Sequence, residues 1–123
     1  MDKPVRSYQD LVAWQKAMDL VTEIYRVSHK FPRDELFALT SQLRRAAVSV
    51  PSNIAEGQAK SSRKEFLYFL SNAKGSLSEV ETQILIARNL GYTDEDDLNI
   101  LLGLSAEVGR ILNGLLASLR EKK

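Results

Sequence analysis

The sequence predicts an all-α protein, an up-down-up-down antiparallel four-helix bundle. Apolar residues recur at alternating steps of three and four along almost the whole chain, which is the period of helices that cross at a shallow angle. No segment sustains a two-residue alternation, so strands are not expected. Short turn sequences separate the periodic segments, and short connections make neighbouring helices antiparallel. We expect a single domain, 1–123, with helices near 8–29, 33–58, 62–90 and 94–120.

The first helix carries two apolar stripes side by side. One steps 3-4-3-4 and is the expected core seam: Leu11, Trp14, Met18, Val21 and Tyr25. The other steps 4-3-4-3-4: Ala13, Ala17, Leu20, Ile24, Val27 and Phe31. Since one small bundle covers only part of so apolar a helix, the second stripe predicts a contact between copies of the chain. The alternative is that both stripes form one wide core face.

The second helix contains the stretch SVPSNIAEG. Its apolar seam continues on both sides of Pro51 and consists of Leu36, Leu39, Leu43, Ala46, Val50 and Ile54. Proline lacks an N–H, and its ring clashes with the carbonyl four residues before it, so we expect a kink in helix 2 and no break. The small polar residues Ser49, Ser52 and Asn53 are candidates to bond the freed backbone groups.

The third and fourth helices repeat the same seam. In the third it consists of Phe66, Leu70, Ala73, Leu77, Val80, Ile84 and Ala87. In the fourth it consists of Leu98, Leu101, Ser105, Val108, Leu112, Leu115 and Leu119.

Residues typical of helix ends agree with these bounds. Three pairs place a hydroxyl three residues before a carboxylate, as in a capping box: Ser7 with Asp10, Ser62 with Glu65, and Thr93 with Asp96. Pro32 suits a first helical position, and Gly91 suits a helix end. The acidic run DEDD at 94–97 falls in the first turn of the last helix, where the helix dipole favours negative charge.

One face of the second helix is polar. Its members step 3-4-4-3 and are Gln42, Arg45, Ser49, Asn53 and Glu56. In the third helix, Gly75 and Ser76 are small enough to let another helix approach. The stripe either faces solvent or forms a buried network at a contact between subunits. The sequence leaves both alternatives open.

Composition narrows the functional classes. There are no cysteines, which excludes disulfides and thiolate chemistry and fits a reducing cytoplasm. The N-terminal residues have no apolar run after their charges, so a secretory signal is not expected. No apolar stretch approaches the roughly 20 residues that span a membrane. We therefore expect a cytoplasmic protein with no membrane contact.

Three stretches together resemble the bacterial four-helix-bundle proteins described as 23S ribosomal RNA intervening-sequence proteins: SYQDLVAWQKA, FPRDELFALTSQLRRAAVSVPSNIAEG and KEFLYFLSNAKGSLSEVETQILIARNLGY. The resemblance covers roughly residues 7–92, and the accessory proteins of diversity-generating retroelements are similar in fold. It implies a kinked bundle that assembles into a ring-shaped homopentamer. It also implies a structural role for the residues of the family motif: Gln42, Pro51, Asn53, Glu56, Gly57, Gly75 and Ser76. The retroelement accessory proteins have a basic surface that engages nucleic acid and a reverse transcriptase, so the candidate partners of this chain are RNA or DNA and a partner protein.

The distribution of charge supports one functional hypothesis. Net charge is only +1, but residues 30–64 carry seven basic side chains against three acidic ones. The first hypothesis is therefore an oligomer that binds RNA or DNA, with Tyr68 as a stacking side chain. Its candidate binding residues are Arg44, Arg45, Lys60, Arg63 and Lys64. The second hypothesis is a scaffold that binds a partner protein and no nucleic acid. Scattered basic residues on a solvated face are the plainer alternative to both.

Catalysis is not expected. His29 is the only histidine, and no serine has an evident histidine partner. The glycine-rich phosphate loop and the Glu-x-x-His pairs of di-iron bundles are both missing from the sequence. We predict a protein that is not an enzyme and that needs no metal or cofactor.

Overall fold

The computed structural model describes residues 7–121 and consists of four α-helices. Their bounds are α1 Val12–Ser28, α2 Leu39–Ala59, α3 Arg63–Asn89 and α4 Glu95–Glu121. Short 3₁₀ turns precede the first two helices, Tyr8–Asp10 before α1 and Arg33–Glu35 before α2. No strand occurs in residues 7–121. The predicted all-α class is confirmed.

The first two helices begin later than the sequence predicted. The capping box of Ser7 and Asp10 is present, but it caps the 3₁₀ turn, and Leu11 is extended before α1 begins. Before α2, Ala38 has φ −126° and ψ −109°, so the 3₁₀ turn that follows Pro32 does not continue into the helix. A capping residue orders one turn, but propagation needs each later residue to be helical as well.

Each helix packs against the next one along the chain, and α4 packs against α1. The ion pairs between α1 and α4 join Lys16 to Glu107 at 3.6 Å and Arg26 to Asp97 at 3.0 Å. Later residues of α1 therefore meet earlier residues of α4, as in antiparallel helices. The complete up-down-up-down order stays a prediction of the sequence.

The core differs from the expectation in α1. The second apolar stripe, expected at a contact between subunits, lies in the core: Ala17, Leu20 and Ile24 have no exposed surface. The expected seam lies at the edge, with Met18 40% and Tyr25 44% exposed. Both stripes are equally apolar, and only the positions of the neighbouring helices decide which one is covered.

The seams of α2, α3 and α4 are confirmed with small departures. Leu36 lies before α2 and is 44% exposed. Near the end of α4, Leu116 is buried while Leu115 and Leu119 are only partly covered. At the start of α4, the side chain of Asp94, not Thr93, accepts the backbone N–H of Asp97 at 2.8 Å. The remaining seam residues from Leu39 to Leu112 are buried, apart from Phe66, which is partly buried.

Pro51 lies inside α2, which is continuous from Leu39 to Ala59. The interpretation of SVPSNIAEG as part of a helix and not a boundary between elements is therefore correct. The side-chain amide of Asn53 donates to the carbonyl of Ser49 at 2.8 Å, and not to the carbonyl of Ala47 that Pro51 leaves without its helical N–H. A bend at Pro51 stays a prediction.

By length and composition, α4 is apolar enough to cross a membrane, with 27 residues and a window of mean hydropathy 1.4. The sequence expectation that no stretch has this property was wrong by this measure. One such helix is weak evidence for a membrane span, because the core helix of a bundle passes the same test. In α4, Leu101, Val108 and Leu112 lie in the core shared by all four helices, while 28% of the apolar window is buried.

Candidate functional site

A polar groove runs between α2 and α3 at the centre of the predicted polar stripe. Ser49 and Ser76 face each other across it, with their hydroxyl oxygens 2.8 Å apart. The amide of Asn53 donates to the hydroxyl of Ser49 at 2.9 Å, and either hydroxyl of the Ser49–Ser76 pair can be the donor in the bond between them. Gly75 and Glu79 line the same groove. The structure thus connects three residues from two helices in one hydrogen-bonded chain.

The rest of the stripe faces outward. Gln42, Arg45 and Glu56 are exposed, while Ser49 and Asn53 are half-buried. Within one chain the stripe is therefore accessible to solvent. Whether a second copy covers it stays the open alternative.

The two motif glycines have different surroundings. Gly57 is buried, and a methyl group on it would lie 2.8 Å from Cβ of Phe69 and 3.0 Å from Cδ1 of Phe66. Its missing side chain therefore lets α2 approach the start of α3. A methyl group on Gly75 would have nothing within 4 Å. Gly75 borders the polar groove and is not needed for packing within the chain.

The five basic candidates do not form one cluster. Arg44 faces α1, where its Nε donates to the hydroxyl of Ser28 at 2.9 Å and its guanidinium carbon lies 4.8 Å from the ring centroid of Tyr25. Arg45 is exposed on the polar stripe. Lys60 lies 16 residues after Arg44, which is about 24 Å along a helix. These two side chains therefore do not belong to one cluster.

Lys60, Arg63 and Lys64 do lie together, at the turn between α2 and α3. All three are exposed, and none takes part in an ion pair among residues 7–121. Tyr68, one turn into α3, is 62% exposed and packs edge-on against Phe69 with ring centroids 5.1 Å apart. We call Lys60, Arg63, Lys64 and Tyr68 the turn cluster.

Two features escaped the sequence analysis. Phe37 is 93% exposed in the connection before α2, where the apolar run LFAL gave no sign that the helix had not yet begun. Asp97 is buried and binds Arg26 at 3.0 Å and Lys30 at 2.7 Å. The sequence did not distinguish Asp97 from the three other acidic residues of DEDD, because only the fold shows which of these four carboxylates faces α1.

The described residues contain no group of three or more His, Asp or Glu side chains placed to hold a metal ion. His29 is exposed just after the last residue of α1. The structure thus defines a small four-helix protein whose notable features are surfaces: a polar groove, a basic turn and an exposed aromatic side chain.

The comparisons with known proteins agree with this class. Residues 9–114 match the family described as "23S rRNA-intervening sequence protein". The chain belongs to this family, and the match extends into α4, beyond the stretches on which the resemblance was based.

One solved structure is similar over nearly its whole length, a protein with unknown function from the S23 ribosomal protein family of Bacteroides thetaiotaomicron. It is 20% identical to this chain with a TM-score of 0.79, and the alignment covers 85% of this chain and 98% of that one. At this identity the similarity shows the fold alone. Among curated proteins, no significant match was found.

Proposed function

We propose that this protein is a non-catalytic, cytoplasmic homo-oligomer that binds structured RNA through the turn cluster. The observation that carries the proposal is the grouping of three unpaired cations with an exposed tyrosine at one end of the bundle. Cations supply contacts to phosphates, and an aromatic ring offers a stacking surface for an unpaired base. The family name refers to ribosomal RNA, which favours RNA over DNA as the ligand.

The local structure favours an anionic ligand at this end. The hydroxyl of Ser62 caps α3 by accepting the N–H of Glu65 at 3.2 Å, so Arg63 and Lys64 occupy the first turn of the helix. The positive end of the helix dipole adds to their charge. Lys60 lies over the ring of Phe69, 5.7 Å from its centroid, at the start of the same turn. Binding of this kind reads backbone and shape, not sequence.

We further propose that copies of the chain assemble head to tail through Phe37. An apolar groove of about 320 Å³ lies elsewhere on the molecule, between α1 and α2. Its apolar walls are Trp14, Met18, Val21, Val48, Pro51 and Ala55. Phe37 of one copy would pack into this groove of the next, and such a heterologous contact closes into a ring when its rotation allows. The pentamer implied by the family resemblance is a ring of this kind.

The test is RNA binding measured against salt. Affinity for structured RNA should fall by roughly 0.7 to 0.9 log units per log unit of salt for each phosphate contact. The double variant Arg63→Ala with Lys64→Ala should bind more weakly and lower this slope by about one to two. Tyr68→Ala should weaken binding to looped RNA more than to a continuous duplex, because only unpaired bases stack on side chains.

A matched control is the double variant Arg110→Ala with Arg120→Ala, which removes the same charge from exposed positions of α4. Its binding should change much less. If the wild-type protein shows no salt-sensitive binding at about 50 mM salt, where phosphate contacts are strong, RNA binding is wrong. Equal losses in both double variants would show a diffuse charge effect and remove the turn cluster from the proposal.

The second candidate function is a scaffold for a partner protein without nucleic-acid binding. Phe37 favours it, because a 93% exposed phenylalanine is typical of a protein contact, and it is free for a partner protein where assembly uses another surface. Absence of RNA binding together with an oligomer that Phe37→Ser leaves unchanged would leave this function in place of the first.

A further inference from the structure

A second pocket lies at the corner where the end of α1 meets the start of α2, with a volume of about 450 Å³. Polar and cationic side chains line one part of it: Ser28, His29, Arg33, Thr40 and Arg44. It is separate from the turn cluster, since α2 extends from the pocket at Thr40 to the turn at Lys60. Nothing in the proposed RNA contact uses these residues.

Arg44 is held in place but its charge is not neutralised. The ring of Tyr25 and the hydroxyl of Ser28 fix the guanidinium, and Ser28 occupies only Nε. Arg44 makes no ion pair with any residue of the described chain. A half-buried guanidinium normally has a carboxylate or phosphate partner, because a charge removed from water needs compensation. The terminal N–H groups of Arg44 are therefore available to an anion in the pocket.

Thr40 supplies an independent observation. It is 3% exposed, and its hydroxyl has no hydrogen-bond partner within the described chain. Buried hydroxyls are almost always bonded, so an unpartnered one calls for an explanation. Thr40 precedes Arg44 by four residues in α2, so both lie on the same face of the helix. The hydroxyl oxygen is covered in the ligand-free chain, so a ligand oxygen that binds Arg44 reaches it only when the Thr40 side chain rotates toward the pocket.

The two charged side chains that line the pocket are both cationic. Arg33 and Arg44 line it, and no carboxylate does. The connection also contains two acids, Asp34 and Glu35, and neither lines the pocket. Glu35 accepts from the hydroxyl of Tyr92 at 2.8 Å and from the N–H of Leu39 at 3.3 Å. It is engaged with the fold and does not neutralise the pocket.

We propose that this corner binds a phosphate monoester. Two guanidinium groups, an imidazole and a hydroxyl give donors for several oxygens of one phosphate, which carries more acceptor sites than a carboxylate. The apolar side of the pocket consists of Phe31, Pro32 and Leu36, and it receives the organic group attached to the phosphate. The phosphate belongs either to a free nucleotide or to the terminal phosphate of an RNA strand.

Titration calorimetry tests this with five probes: inorganic phosphate, uridine monophosphate, uridine, a short RNA with a 5′-phosphate, and the same RNA without it. We expect saturable binding of the monophosphate, weaker binding of inorganic phosphate and none of uridine. If the phosphorylated RNA binds at least tenfold more tightly than the unphosphorylated strand, the source is an RNA end. If the monophosphate binds saturably and the two RNA strands bind equally, the source is a free nucleotide.

Two variants locate the site. Arg44→Gln should weaken binding of the monophosphate at least tenfold. Thr40→Val keeps the side chain's volume and removes the unpartnered hydroxyl, so it should fold well yet weaken binding by about threefold to tenfold. The control Arg45→Gln removes the same charge one residue away, at an exposed position outside the pocket, and should leave binding unchanged.

Absence of saturable binding by every phosphate-bearing probe at millimolar concentration would overturn the proposal. So would equal losses in Arg44→Gln and Arg45→Gln, or unchanged binding in Thr40→Val. The proposal is independent of RNA binding at the turn cluster, because the double variant at Arg63 and Lys64 leaves this pocket intact. Loss of monophosphate binding in that variant would also contradict it.

Discussion

At the scale of single residues, the contact between α2 and α3 depends on one missing side chain. Gly57 lies against Phe66 and Phe69 with no space for a Cβ, and the atom it would meet first is the Cβ of Phe69, which cannot rotate away. The helices would have to separate to admit even a methyl group. A packed interior resists such a shift.

We therefore expect Gly57→Ala to lower the free energy of unfolding by about 1–3 kcal/mol, despite the better helix propensity of alanine. The control is Gly75→Ala, an exposed helical position with free space, which should raise it by about 0.5–1 kcal/mol. Urea denaturation of both variants measures the difference. Stabilisation by Gly57→Ala would show that the two helices are not packed as closely as described.

A second residue-scale feature is the carboxylate that joins α1 to α4. The ammonium of Lys30 and the guanidinium of Arg26 hold the pKa of Asp97 below its ordinary value of 3.8, although burial acts in the opposite direction. In the unfolded chain these partners are lost and the pKa returns to its ordinary range. The folded state is therefore stabilised above that range, and the stabilisation is lost as the pH falls through the lowered pKa.

Asp97→Asn should lower the free energy of unfolding by about 1–2 kcal/mol at pH 7. The difference from the wild type should shrink as the pH falls below about 4, because the unfolded wild-type chain then takes up a proton, and it should vanish below the lowered pKa of Asp97. Asp96→Asn is the matched control, since Asp96 is exposed in the same helical turn. Denaturation curves between pH 2 and 7 measure both, and a pH-independent loss in Asp97→Asn would contradict the ionic origin.

At the scale of elements, periodicity predicted all four helices because each buries one continuous stripe. It did not predict which stripe of α1 is buried. Leu20 and Val21 are adjacent and equally apolar, yet only Leu20 is fully buried. The sequence of α1 contains no information on which side α2 and α4 will lie. The packing of α2 and α4 against α1 decides which stripe is buried.

The start of a helix was predictable where the capping side chain bonds to the first turn of that helix. Ser62 is the N-cap of α3, as predicted. Ser7 caps only a 3₁₀ turn, because Leu11 leaves the helical region directly after it. The same local signal therefore has two outcomes, and the residues that follow decide between them.

Ser62→Ala should lower the free energy of unfolding by about 1 kcal/mol, because the N–H of Glu65 loses its acceptor. Ser61→Ala, one residue earlier at an exposed position, should change it by less than about 0.5 kcal/mol. Thermal and urea denaturation of the pair provide the measurement. Equal effects at both positions would mean that the cap contributes nothing beyond helix propensity.

At the scale of the whole molecule, the sequence predicted the composition of the candidate surfaces better than their location. The polar stripe of α2 was recognisable from spacing alone, since a regular helix fixes which residues share a face. The positions of the basic side chains could not be predicted in this way, because Arg44 turns toward Tyr25 while its neighbour Arg45 faces solvent. Phe37 was missed for a related reason. An apolar residue between two apolar neighbours looks buried until the start of the helix is known.

Assembly is the property that these surfaces predict for the molecule as a whole. With Phe37→Ser we expect the oligomer to dissociate, since one copy loses the side chain that enters the groove of the next. The stability of the single chain should change by less than about 0.5 kcal/mol, because Phe37 is 93% exposed. Met18→Glu, on the groove side, should have the same effect on assembly, whereas Leu90→Ser, an exposed apolar residue of similar size outside the groove, should have none. Light scattering after size exclusion at micromolar concentration measures all four proteins.

A wild-type mass of 13.8 kDa would contradict assembly itself. An oligomer unchanged by Phe37→Ser and Met18→Glu would contradict only this contact and direct attention to the polar stripe of α2.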